Sequence, residues 1–463
     1  MEIDGKGGLR QEVSVEERFL ASLDDEDDEE PVDLGWRERQ RRRLQRKNQP
    51  TIDKFLGENR RINAVGILPR YYGELLTWAF HRYLEREKWK IVTTLGYRAP
   101  EPVYIGVTTG DSSSENLLMD GQMLIEKGDS RLIVTVDTNP SRRGSVQVEG
   151  PAGKKDEIEA FVSGIMTVAK EENFYRGKKI EFSGRIRFLN VEDKSWESII
   201  LDVATKAEIK ANTVDFLRRS GEWSKYGIPL KRGILLAGEP GTGKTVICRA
   251  LMTEADGITC ITTNSYALDA DGYITELYEL AEDLSPSIVF IEDIDLIGQN
   301  RMEFDYQRGS ALVSLLAVLD GVEEHKRIVT VASTNCLETL DKALTQRPSR
   351  FDRVIKLSRP SMEQRRELIS RLCHKIPLDE DTQEYIAMRA ETCTPAQLQE
   401  IVYSLVIQRP TQQPQPAFNK ADVDLAISRI NDKNRRQLGF SGGNHNGSKQ
   451  GQLTIIGDED EPN

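Results

Sequence analysis

Apolar residues are unevenly spread along this chain, and their spacing changes from region to region. Over residues 1–60 they are sparse. An acidic run at 24–30 is followed by a basic run holding Arg37, Arg39, Arg41, Arg42, Arg43, Arg46 and Lys47. Blocks of like charge bury too little apolar surface to fold alone, so residues 1–60 read as a charged, disordered arm. The basic run suits one charged helix or a nucleic-acid arm, with a solvated, self-neutralising tail as the preferred reading. From 61 to 190 the pattern becomes regular. Leu75, Leu76, Ala79, Phe80 and Tyr83 recur at helical spacing within 71–90, as do Ile158, Phe161, Val162, Ile165, Met166 and Ala169 within 155–171. Strand-like runs lie at 103–108, 117–125, 131–137, 145–149 and 179–189. This segment is expected to be a separate N-terminal α+β domain that recruits partners. Its acids Asp120, Asp137 and Glu149 stand apart along the strands and are expected to face solvent rather than bind metal.

From 196 to 358 the pattern changes again: continuous apolar runs alternate with helical stretches, as in a parallel sheet buried on both faces. Residues 360–432 read as a smaller helical unit, interrupted by a Pro-rich loop at 409–416. The tail 433–463 is rich in Gly, Asn, Lys and acids and is expected to be disordered.

The apolar run Gly233-Ile234-Leu235-Leu236-Ala237 leads into Gly238-Glu239-Pro240-Gly241-Thr242-Gly243-Lys244-Thr245. A helical run starting at Thr245 follows. This is the phosphate-binding loop pattern in the strand–loop–helix setting that it requires. Glycines let the backbone wrap a phosphate and aim N–H groups at it from the positive end of a helix. Lys244 would reach the terminal phosphates, and Thr245 would hold Mg²⁺. A second buried run, Ser287-Ile288-Val289-Phe290-Ile291, ends in Glu292, Asp293 and Asp295. Acids at a strand's C-terminal edge lie where α/β sheets bind ligands: one can complete the metal shell, another can polarise water. A third run, 328–334, ends at Asn335, which can orient such a water. Finally, Arg347 and Arg350 flank a Pro turn and can bring two guanidinium charges to a phosphate.

Taken in this order, residues 196–432 resemble the AAA family of ATPases. The approach Lys225-Tyr226-Gly227-Ile228-Pro229-Leu230-Lys231-Arg232-Gly233 and the stretch Thr394-Pro395-Ala396-Gln397-Leu398 resemble that family's lead-in and lid. The resemblance implies a P-loop NTPase core with a parallel sheet and a small helical lid, ATP and Mg²⁺ as ligands, and ring assemblies, usually hexamers. Arg347 and Arg350 would then act on a neighbour's ATP. The family's usual order in the second motif is Asp then Glu. Here it is reversed, so Glu292 falls on the metal-shell acid and Asp293, one methylene shorter, on the water-polarising acid. Substrate-threading relatives carry a pore aromatic between the first two motifs; Tyr266-Ala267-Leu268 and Gly272-Tyr273-Ile274 both fall there. The alternative makes Tyr273, Leu277 and Leu280 core positions of a helix.

Gln49, Ile52, Phe55 and Leu56 have the spacing of short peptides that dock on sliding clamps. The competing and preferred reading packs Ile52, Phe55 and Leu56 on the following domain. Three functions are therefore in play: a ring ATPase that remodels or unfolds protein partners, a DNA-linked remodeller tethered to a clamp, and a nucleotide-gated scaffold with negligible hydrolysis.

Composition narrows the setting. The 463 residues carry a net charge of −12, which argues against bulk nucleic-acid binding. Five scattered cysteines and four histidines offer neither a disulfide framework nor a zinc site. No run approaches the ~18 apolar residues of a membrane span, and residues 1–5 lack the features of a signal peptide. A cytoplasmic location is the expectation.

Overall fold

The computed structural model describes residues 34–57, 60–110, 114–138, 143–191, 194–268, 272–297, 310–321, 326–339, 350–376, 378–408 and 418–439. The chain forms two compact units, Met1–Thr108 with Ser113–Asn173, and Phe174–Asn463 with Thr109–Ser112.

The first unit opens with helix α1 (Leu34–Leu56). Arg, Gln, Glu and Lys favour this state, and Gly57 ends it at φ 69°, its N–H donating to the Asp53 carbonyl at 3.0 Å. The arm expected to be disordered is therefore helical over this span. The reason is a buried stripe: Leu44, Ile52 and Leu56 are buried, and Ile52 and Leu56 pack with Leu124 and Ile133. Phe55 is partly buried in the same cluster, and Gln49 donates to Asp53 Oδ1 at 2.8 Å. The apolar residues that a clamp would take are thus already spent within the unit, and the clamp-docking expectation loses its basis.

β1 (Arg61–Leu68), α2 (Gly73–Glu87), β2 (Lys90–Leu95), β3 (Val103–Thr108), β4 (Ser114–Lys127), β5 (Ser130–Asp137), β6 (Gly144–Pro151) and α3 (Lys155–Glu171) follow. The strands form an antiparallel sheet in the order β1-β6-β5-β4-β2, with β3 also on β4. Strands β1 and β2 were not legible as such, because their side chains are mostly half-exposed edge positions with no clean alternation. Asp120 and Asp137 face each other across β4 and β5 and are buried, contrary to the expectation that they face solvent. Arg98 explains how: its backbone N–H donates to Asp120 at 2.9 Å and its guanidinium binds Asp137. A buried carboxylate persists only when paired in this way.

The second unit contains β7 (Lys179–Phe182), β8 (Ile186–Phe188), α4 (Val203–Ala211), α5 (Val214–Arg218), α6 (Ser220–Lys225), β9 (Lys231–Ala237), α7 (Lys244–Glu254), β10 (Thr259–Asn264), α8 (Ser265–Leu268), α9 (Tyr273–Asp283), β11 (Ser287–Glu292), α10 (Ser310–Gly321), β12 (Ile328–Thr334) and β13 (Arg353–Lys356). Its sheet runs β13-β9-β12-β11-β10-β7-β8. All neighbours are parallel except β7 and β8. Residues 179–189, assigned from sequence to the N-terminal domain, belong instead to this sheet: β7 pairs with β10, burying Ile180 and Phe182. The apolar run looked alike in either place, and only pairing distinguished them. Ile234, Leu236, Ile288, Phe290, Val329 and Val331 are buried in one core cluster with Ile247, Ala250 and Leu251 of α7.

The helical subdomain holds α11 (Met362–Leu372), α12 (Glu380–Arg389), α13 (Pro395–Ile407) and α14 (Lys420–Gly439). Ser361 with Gln364, and Thr394 with Gln397, form capping boxes that start α11 and α13. Helix α14 continues through Gly439, beyond the start expected for a disordered tail. The Pro-rich stretch 409–416 and residues 440–463 lie outside the described residues.

Candidate nucleotide-binding site

Sheet order builds this site. Strand β9 delivers the glycine loop, β11 delivers the acids, and β12 lies between them. Asn335, one residue past β12, therefore stands between groups that are far away in sequence. Its Oδ1 accepts from Lys244 Nζ at 2.8 Å, and its Nδ2 donates to Asp293 Oδ1 at 2.9 Å. Its backbone N–H donates to Asp295 Oδ1 at 3.1 Å.

The loop itself is strained into shape by glycine. Gly241 and Gly243 have φ of 83° and 98°, a region that other L-residues avoid. Thr242 Oγ1 donates to the Glu239 carbonyl at 2.8 Å and is buried, tightening the turn. Helix α7 starts directly after Gly243, so its positive end faces the loop. Lys244 is buried, and its ammonium donates to the carbonyls of Gly238 at 2.6 Å and Glu239 at 3.2 Å. Burial lowers its pKa, while Asp293 and Asp295 oppose that shift. Glu239 lines the loop with backbone only; its carboxylate faces outward to Arg359, 2.9 Å away. Pro240 precedes the first left-handed glycine.

Burial, then the neighbouring Asp293, raises the pKa of Glu292, while Arg249 and a hydrogen bond from Thr245 lower it. The hydroxyl of Thr245 thus lies near the carboxylate of Glu292. Together with the crowded acids, they fit a hard divalent cation, which takes oxygen ligands and relieves carboxylate repulsion. The glycine cradle, the helix end and the buried Lys244 fit phosphates.

Asp293 has φ 52° and ψ 54°, and its N–H donates to Ser333 Oγ at 3.1 Å. Asp295 was read from sequence only as one of three acids, without a role of its own, and Ser333 was not singled out. A polar serine at the buried end of an apolar strand was the available signal for Ser333.

Of the two arginines, Arg347 lies outside the described residues. Arg350 is buried, with two guanidinium bonds to Asp320 at 3.1 and 2.7 Å. In the single chain it is thus engaged internally. Leu277 and Leu280 are core residues of α9, and Tyr273 is half-buried with its ring 6.4 Å from that of Phe182. Of the other pore candidate, Leu268 is buried and the Ala267 N–H caps onto Asn264 Oδ1 at 2.9 Å.

The lid meets the loop at the start of α13. The Ala396 N–H donates to the Gly241 carbonyl at 3.2 Å. A Cβ built on Gly241 would stand 2.9 Å from Ala396 Cβ and 2.9 Å from Thr394 Oγ1.

Residues 234–359 match the family model of the ATPase family associated with various cellular activities, AAA. The chain is 30% identical over 282 residues to the ATP-dependent zinc metalloprotease FtsH 1 of Alkaliphilus metalliredigens, covering 58% of this chain and 45% of that protein. It is 32% identical to FtsH 2 of Sphaerobacter thermophilus, covering 53% and 40%. It is also 32% identical to the proteasome-activating nucleotidase of Methanocella arvoryzae, covering 48% and 55%. The chain therefore spans about half the length of the curated relatives it matches. The matched region contains the end of β9, the glycine loop, the acids and Asn335, whose geometry is that of a nucleotide cassette; residues 234–359 thus form a domain of the AAA ATPase type.

Proposed function

We propose that this chain binds and hydrolyses ATP in a ring of identical subunits, usually six, and uses the cycle to remodel or unfold protein partners recruited by its N-terminal unit. The observation that carries the reading is the chain of contacts Lys244–Asn335–Asp293, which links a phosphate-binding cation to a water-polarising acid through one amide. Lys244 and the loop 238–245 hold the phosphates, while Thr245 and Glu292 would hold Mg²⁺, which would supply positive charge against that developing on the phosphates. Asp293 accepts a proton from the attacking water, and Asn335 fixes where that water stands. Arg347 and Arg350 act on the neighbour's nucleotide, which requires Arg350 to leave Asp320 on assembly. A lone subunit would then turn over slowly, because an arginine finger supplies much of the transition-state stabilisation.

The relatives' names support the partner class: one includes a protease, the other activates a proteasome. A cytoplasmic location belongs to the same proposal. Among the described residues no helix is long and apolar enough to cross a membrane.

Steady-state ATP turnover against protein concentration tests this reading. The per-subunit rate should rise with concentration as rings form, and fall to background in Asp293→Asn. A rate near zero at every concentration would instead indicate a nucleotide-gated scaffold. A pull-down of ATP-loaded Asp293→Asn then identifies the partners.

A further inference from the structure

We propose that the hydroxyl of Ser333 is a positioning group for hydrolysis: it fixes the backbone of Asp293 in the left-handed region and so aims a short carboxylate at Asn335. The inference rests on the hydrolysis reading above and names the device that makes its acid work.

Among the described residues only Asp293 and Lys88 adopt positive φ without being glycine. Lys88 is a helix C-cap, a common place for that conformation. Asp visits this region more readily than most residues, but Asp293 precedes a 3₁₀ turn and caps no helix C-terminus, and its surroundings hold it there. They do so at three points. Its N–H donates to Ser333 Oγ at 3.1 Å, its carbonyl accepts from the Leu296 N–H at 2.9 Å, and its Oδ1 accepts from Asn335 Nδ2 at 2.9 Å.

Register explains why a side chain is needed. β11 pairs with β12 as far as Ile291 opposite Ala332. β12 continues along β9, where Ser333 lies opposite Leu236. Past Ile291 the ladder offers Asp293 no backbone acceptor, and the Ser333 hydroxyl takes its N–H instead. Ser333 is buried in a strand whose seven residues are all buried. A hydroxyl there is costly unless it bonds. Asp is one methylene shorter than Glu, so the direction of its Cα–Cβ bond decides whether its carboxylate reaches Asn335. Rotating φ to the ordinary negative range would swing that bond away.

The test is a double-mutant cycle in assembled protein: wild type, Ser333→Ala, Asp293→Asn and the pair, with kcat and KM for ATP and the affinity for a fluorescent ATP analogue. Ser333→Ala should lower kcat about three- to tenfold, the worth of one buried hydrogen bond. KM and analogue affinity should stay within about twofold, since ground-state binding is not the affected step. In the Asp293→Asn background, with rates from single-turnover measurements, Ser333→Ala should change nothing further, because Ser333 acts through that carboxylate. Ser333→Thr, which keeps the hydroxyl, should retain the wild-type kcat. An unchanged kcat in Ser333→Ala, or an equal loss in the Asp293→Asn background, overturns the positioning role while leaving the hydrolysis reading standing. A wild type that turns over no ATP overturns both.

Discussion

Gly241→Ala is the sharpest single perturbation of the contact between phosphate loop and lid. Two costs can be worked from the structure. Gly241 has φ 83°, where an alanine is disfavoured by roughly 1–2 kcal/mol. The new methyl would also sit 2.9 Å from both Ala396 Cβ and Thr394 Oγ1, closer than real Cβ contacts. Keeping the lid in place would add overpacking of ~1–3 kcal/mol. Moving the lid away avoids that clash but loses the Ala396 N–H bond to the Gly241 carbonyl, ~0.5–1.5 kcal/mol. The cheaper path wins, so the expected loss is about 2–3 kcal/mol. Denaturant unfolding of the nucleotide-free protein and calorimetric titration with a non-hydrolysable ATP analogue measure it. Affinity should fall by on the order of tenfold or more, since the loop must be forced into its bound shape. Gly221→Ala is the control: Gly221 lies inside α6 with no atom within 4 Å of an added Cβ, so the change should be neutral or stabilising. A Gly241→Ala protein with wild-type stability and wild-type affinity would refute the described contact.

Four further outcomes follow from the same reasoning. Lys244→Ala should abolish nucleotide binding by titration, because it removes the only described cation bonded to Asn335 at the loop. Ile52→Ala should destabilise the first unit by about 2–4 kcal/mol in denaturant, as for other buried isoleucines; a stability change near zero would return Ile52 to an outward-facing role. Arg350→Ala should cost ~1–3 kcal/mol of stability as well as activity, less than a fully buried pair because Asp320 is 40% exposed; an activity loss with unchanged melting would leave Arg350 purely a finger. His81 accepts the Leu118 N–H on Nε2 at 3.2 Å, and burial pushes its pKa down to about 4. The unfolded chain therefore binds the proton first as pH falls from about 6.5, and stability drops down to about pH 4. Urea titrations should show a shallower decline over that window in His81→Leu.

How far the sequence carried depended on whether a feature was local. The glycine loop and its flanking strand and helix follow from residues close together in sequence. They appeared where the pattern placed them, whereas the capping boxes at Ser361 and Thr394, equally local, were not read from it. The acids after β11 and Asn335 after β12 were legible for the same reason: each ends an apolar run. Residues 179–189 were read as a strand but given to the wrong unit, because an apolar alternation does not say which sheet it joins. Asp120 and Asp137 were misread because cross-strand register and the turn carrying Arg98 are invisible in a linear pattern. Helix α1 hid behind its charge: among the described residues Leu44, Ile52, Phe55 and Leu56 are its apolar anchors, and the last three, with Gln49, also have the spacing of a docking peptide.

The sequence by itself determined the side-chain set: a glycine loop with its lysine, a threonine hydroxyl beside it, a cluster of acids and a polar strand tip. Those properties belong to side-chain type and to backbone freedom at single positions. Only the tertiary structure decided how these parts are wired. Placing β12 between β9 and β11 brings Asn335 to both Lys244 and Asp293, and ending the β11–β12 ladder at Ile291 leaves Asp293 to Ser333. Strand order and register are set by burial of whole faces against one another, a sum over many residues that no short motif contains.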